Sequence, residues 1–167
     1  MSSRFNLAGF TELLFDKPKQ LETMSGMQTD VEGELKVISL NPPEYRIICH
    51  LNMKTSGGDI LSTLVHEMAH VDDHNNIPQV YCYRNSISKN TNSWDELRQL
   101  LSFQIWAEFY ATWKSNEHSS LDNAVLYLIK INQMVECLDR SNEDIQNRNM
   151  KSDILILMAR FLGEILR

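Results

Sequence analysis

Two histidines four residues apart, with a glutamate directly after the first, make His66-Glu67-Met68-Ala69-His70 the segment of this chain best suited to chemistry. On a helix, residues four apart lie about one turn apart on the same side, roughly 6 Å along the axis, so two imidazoles can converge on one ion at Zn–N distances of about 2.0–2.1 Å. Glu67 falls at the edge of that side, where it cannot easily ligate the same ion but can reach a water on it as general base. With five His and twelve Glu in 167 residues, chance supplies this pattern about once in a hundred such chains. With Ile60 at the origin of a helical wheel, Leu61, Leu64, Val65, Met68 and Val71 span an arc of about 140°, and Thr63, His66, His70 and His74 cluster opposite it. A helix with one apolar side and one histidine side is the context a metal-binding pair needs.

A catalytic zinc site takes a third protein ligand and keeps one position open for water. Glu108 is the preferred candidate, because a carboxylate set among Trp106, Phe109 and Tyr110 is costly to bury unless it is paired or bound to a cation. Ala107 and Ala111 beside it allow another helix to approach closely. Glu96 competes but is better explained as part of a capping box, and Glu117 and His118 fall at a helix end. His74 continues the four-residue series but lies about 12 Å along the axis from His66, too far to share an ion with it. It is grouped with Asp72 and Asp73 as a set that either supports the ligands or forms a solvated helix end, the second being the plainer expectation. Tyr81, Tyr83, Tyr110 and His118 are candidate donors to a developing oxyanion, and the sequence does not rank them.

His66-Glu67-x-x-His70, followed 38 positions later by Glu108-x-x-Ala111 in an aromatic helix, resembles the gluzincin class of zinc metallopeptidases. More narrowly it is similar to the small cytoplasmic ImmA/IrrE-type peptidases, over about residues 35–115; Thr112 stands where that family usually carries Asn. The resemblance implies a minimal zincin fold, a small sheet above two metal-bearing helices. It also implies a protein or peptide substrate, a regulatory protein such as a repressor among them.

Several elements must hold these residues. Residues 5–24, with Phe5, Leu7, Phe10, Leu13, Leu14 and Leu21, read as a helix followed by a second segment after Pro18. Glu34 to Leu40 and Tyr45 to Met53 read as two strands joined at Asn41-Pro42-Pro43. In the second, Tyr45, Ile47, Cys49, Leu51 and Met53 share the packed face, and Arg46, Ile48, His50 and Asn52 the mostly polar one. If that strand lies at the sheet edge, an extended substrate can add beside it, with Arg46, His50 and Asn52 flanking the cleft. A helix from about Ile60 to Asn75, capped by Ser56 or Asp59, carries the motif.

The stretch from Pro78 to Asn92 reads as a polar connection, long enough to act as a flap. Ser93-Trp94-Asp95-Glu96 opens a helix to about Glu117 bearing Leu97, Leu100, Leu101, Ile105, Phe109 and Trp113. Helices from about Ser120 and from Asp153 to Leu166 follow, with apolar stripes led by Leu121, Val125 and Leu128 and by Ile154, Leu157 and Met158. The fold class this predicts is α+β: a small N-terminal sheet of two or three strands and a mainly helical remainder, one domain over 1–167 with a core of about 31–117 and C-terminal helices from about 119.

Composition narrows the functions. Hydrophobic residues at 43% with 23% charged fit a globular chain, and a formal charge of −6 repels phosphate backbones, so nucleic acid is not expected as a partner. Three cysteines, Cys49, Cys82 and Cys137, without C-x-x-C spacing argue against a disulfide framework or a thiolate metal site, and the cytoplasm is the expected compartment. No export signal is seen, and the longest apolar run, Ile154 to Ala159, is too short to span a bilayer. The leading hypothesis is a zinc-dependent endopeptidase, a hydrolase in which His66, His70 and Glu108 hold Zn2+ and Glu67 is the base. A non-catalytic zinc-stabilised binding or regulatory module uses the same ligands without turnover, and a helical interaction protein with an accidental motif uses none of them.

Overall fold

The computed structural model describes residues 4–22, 28–51, 57–87, 93–115, 121–138 and 144–166. Strands β1 (Phe10–Asp16), β2 (Lys19–Glu22), β3 (Gln28–Val31), β4 (Gly33–Leu40) and β5 (Pro43–His50) precede helices α1 (Gly57–Asn76), α2 (Pro78–Ile87), α3 (Trp94–Ser115), α4 (Leu121–Leu138) and α5 (Asp144–Ile165). This is the expected α+β arrangement, a small N-terminal sheet followed by helices. No described helix is long and apolar enough to cross a membrane.

The β4–β5 hairpin turns at Asn41-Pro42 as expected, and β5 runs antiparallel to β4. The surprise is on its other side. Residues 10–16 are not helical but form β1, which pairs parallel with β5, so β5 is the central strand of the order β1-β5-β4. The misreading has a local cause. The register slips between Phe10 and Glu12, so Thr11 is an extra residue, Phe10 faces Tyr45 and Leu13 faces Ile47. A bulge breaks the period of two and leaves two apolar residues three apart on one face, which is helical spacing.

Burial of β5 on both sides follows from its central place. Tyr45, Ile47 and Cys49 form a core with Val71 of α1, against which Phe10, Leu13, Leu35, Leu64 and Met68 pack. The opposite face is also covered, since Ile48 and His50 are buried. That corrects the mostly polar face expected for Arg46, Ile48 and His50, and it removes β5 as a free edge. β2 and β3 pair only with each other in the described sheets.

The helical remainder departs in two ways from the pattern read in the sequence. Residues 78–87, expected as part of a polar connection, form α2, begun by Pro78 at the first helical position, where its missing N–H has no partner to lose. Residues 88–92 of the expected flap lie outside the described residues, as do Ser56, Asn52, Met53, Glu117 and His118. In α3 the large apolar series is only partly covered, with Leu100, Leu101, Ile105 and Phe109 half-buried and Leu97 and Trp113 exposed, while the fully buried residues are Ala107, Ala111, Thr112 and Ser115. Small residues face inward because α3 is clasped by α1 on one side and α5 on the other. A Cβ at Gly163 of α5 would lie 2.9 Å from Phe109 O, Thr112 Cβ and Trp113 N, so the α3–α5 approach needs glycine there. α5 reaches α4 through Met134, Met150 and Ile154. It begins at Asp144, a good way before the expected Asp153.

Candidate metal centre

α1 and α3 lie side by side, and the motif helix turns His66 and His70 toward Glu108. Their rings are 4.9 Å apart at 84° to one another. His66 Nε2 is 3.5 Å from Glu108 Oε2, and His70 Nε2 is 4.0 Å from Glu108 Oε1. One potential ligand atom from each of the three lies within 4.8 Å of the others. Tetrahedral coordination at about 2.0–2.1 Å sets neighbouring ligand atoms roughly 3.3–3.5 Å apart, so small side-chain adjustments close this triangle on one ion. The group can hold a metal ion. The three side chains are 19%, 13% and 16% exposed, so the group is largely withdrawn from solvent.

Protonation suits this task. Burial, the largest effect at His70, lowers it to about 3 despite the pull of Glu108, so its imidazole is neutral and its lone pair available near pH 7. At Glu108 burial works to raise the carboxyl, but Arg160 and the two histidines outweigh it and hold the group well below the usual carboxylate range. Glu67 has no such cation against it. Buried at 7% exposure, its carboxyl is pushed up from 4.5 to about 7, burial being the main cause, with His66 opposing and Glu108 adding.

Two residues of this centre were not read from the sequence. Arg160 of α5 donates through Nε at 2.8 Å and reaches with Nη2 to 2.7 Å of the same oxygen, Glu108 Oε2. Its signal was present as the lone cation in the run from Ile154 to Leu162, where a charge needs a buried partner. Gly33, at the start of β4, an edge strand of the described sheet, lies against Glu67: a Cβ there would be 2.5 Å from Thr63 Cγ2 and 3.0 Å from Glu67 Oε1. No spacing rule in the sequence pointed to it.

The remaining candidates are placed elsewhere. Asp72 and Asp73 are fully buried rather than solvated, yet they hold the fold and not the ligands. Asp72 accepts from Asn6 N and Tyr110 Oη, both at 2.5 Å, and pairs with Lys114 at 3.3 Å. Asp73 accepts from Tyr81 Oη and, at 3.2 Å, from Trp106 Nε1. His74 is buried between Tyr45 and Tyr81, its ring 3.5 Å from that of Tyr81, and burial lowers it to about 4.

Tyr81 and Tyr110 thus commit their hydroxyls to carboxylates, and the exposed Tyr83 donates to Gln99 at 2.9 Å. None of these three points a free O–H at the metal group. Glu96 opens α3, where Ser93 Oγ accepts from Asp95 N at 3.3 Å, and it has no part in the centre. Arg46 is held by Glu12 and Glu44, each at 3.5 Å. His50 Nδ1 meets Lys17 O at 3.0 Å. Neither lines a cleft beside β5, because the neighbours of that strand occupy both its edges.

Comparison of the chain with protein-family models, with curated proteins and with solved structures found no match.

Proposed function

We propose that the protein is a zinc-dependent endopeptidase of the small gluzincin type, similar to the ImmA/IrrE-type peptidases, acting on a protein or peptide. The reading is carried by one conjunction: an N,N,O group from α1 and α3 that could hold a metal ion, beside a buried carboxyl, Glu67, that burial pushes up in the metal-free chain. Two imidazoles and one carboxylate suit zinc, which when bound polarises a water and the scissile carbonyl.

The chain does the rest. As a carboxylate, Glu67 would accept a proton at an oxygen from the attacking water and deliver it to the leaving amine. His66 and His70, fixed on a helix packed by Val71, Leu64 and Met68, keep their Nε2 atoms aimed at Glu108. An extended substrate is best received on β4, the edge strand, by backbone pairing. At the start of β4, Gly33, lacking a side chain, lets Thr63 and Glu67 of α1 pack directly against that strand. The resemblance favours a regulatory protein, such as a repressor, as the natural substrate.

The test is Glu67→Gln, which keeps shape and removes the base. Zinc-loaded wild type should cut a complex mixture of peptides at defined bonds, and E67Q should be slowed by about 10²–10⁴-fold while binding zinc equally well. No cleavage of any peptide by zinc-loaded wild type, or undiminished cleavage by E67Q, overturns the reading and leaves the non-catalytic zinc module in its place.

A further inference from the structure

A glutamate side chain does not choose its own carboxylate orientation, because its last torsion is broad and roughly two-fold. In the metal group Glu108 must offer a lone pair toward His66 and His70 and not rotate away into the gap between helices. What faces the other side of that carboxylate is Arg160, with two nitrogens 2.7 and 2.8 Å from the single oxygen Oε2. Oε2 also lies 3.5 Å from His66 Nε2, and Oε1 lies 4.0 Å from His70 Nε2. The placement is built into the backbone: Ala159 is buried beside Arg160, and Gly163, one turn on, sits where any side chain would collide with α3 at Phe109–Trp113. α5 is thereby held close to α3 at this turn, and Arg160 is carried with it.

We propose that Arg160 is a positioning residue for metal binding, clamping one oxygen of Glu108 so that the carboxylate meets the ion in a single orientation. The proposal rests on the metal centre described above. It makes the C-terminal helix part of the active centre and not an appendage to it. An arginine is required because its planar fork places two donors at fixed spacing, whereas a lysine supplies a single mobile ammonium. The rival role is a plain ion pair stapling α5 to α3, which would contribute to stability and leave metal affinity alone.

The experiment measures the zinc dissociation constant of the full chain by competition with a chromophoric chelator, for wild type, Arg160→Met and Arg160→Lys. The cobalt(II) absorption of each and the melting temperature of each chelated protein are recorded alongside. Removal of an outer partner of a metal ligand weakens binding by about 10–100-fold. R160M should show that loss with an altered cobalt spectrum, and R160K a smaller loss. Zinc affinity within about twofold of wild type in both variants, with only the melting temperature lowered, overturns the proposal and leaves the staple. Should R160M not fold, R160K decides alone: weakened zinc binding supports the clamp and wild-type binding overturns it. Wild type that takes up no zinc, or takes it up as well after His66→Ala, removes the metal centre itself, an outcome distinct from normal wild-type uptake with indifferent Arg160 variants.

Discussion

Glu67 and Glu108 are carboxyls on facing helices, both screened from water, and their neighbours send them in opposite directions. Glu108 is ionised because Arg160 is against it; Glu67 holds its proton up to about 7 because nothing cationic touches it as closely. The second shift has a stability consequence in the chelated protein. The folded state keeps a proton on Glu67 that the unfolded chain releases near 4.5, so this contribution is full below pH 4.5 and is lost as pH rises through 7. Its size is about 3 kcal/mol. Between pH 4.5 and 8, chelated wild type should lose about that much more stability than chelated E67Q. Denaturant titrations at both pH values check it, and parallel pH dependence of the two proteins contradicts it. His70 and His74, lowered to about 3 and about 4, act with the other sign: their contribution is present above 6.5 and lost as pH falls toward those values.

At the scale of elements, small residues decide where the large ones go. Ala107 and Ala111 were legible as a place for close helix approach, and both are buried; α5 closes on the neighbouring stretch of α3, Phe109 to Trp113, through Gly163. Gly163→Ala gains up to about 1 kcal/mol of helix propensity, but overpacking against backbone typically costs 1–3 kcal/mol. The net expectation is a loss of about 1–2 kcal/mol in chemical denaturation, together with weaker zinc binding as Arg160 is displaced; unchanged stability and affinity contradict the tight seam. The hairpin was legible because turn chemistry and alternation are local. β1 was not, because a bulge mimics helical spacing and its pairing partner lies more than thirty residues away. α2 was missed although Pro78 marked its start, because its apolar residues, Val80 to Tyr83, run together and show no helical period.

For the whole molecule, the meeting of His66, His70 and Glu108 was legible because the pair depends on spacing along a helix and the carboxylate on a charge out of place among aromatics. Arg160, Gly33 and the burial of Asp72, Asp73 and His74 were not, since each depends on which elements meet. The hydrophobic core around Tyr45, Ile47, Cys49 and Val71 is separate from the metal ligands, and Arg160 answers the charge of Glu108. Chelation should therefore leave the helices formed, in contrast to zinc fingers, which unfold without metal. Zinc at a thousand times its dissociation constant adds about 4 kcal/mol, roughly 10 °C in melting temperature for a chain of this size. Circular dichroism melts with chelator and with zinc check this, and loss of helix on chelation at 25 °C contradicts it.

Diffraction from crystals of the zinc-loaded protein, recorded on both sides of the zinc absorption edge, reaches the central claim most directly. A single anomalous peak should lie about 2.0–2.2 Å from one ring nitrogen each of His66 and His70 and from one carboxylate oxygen of Glu108. A zinc peak at other side chains, or one held by the histidines with Glu108 turned away, contradicts the account.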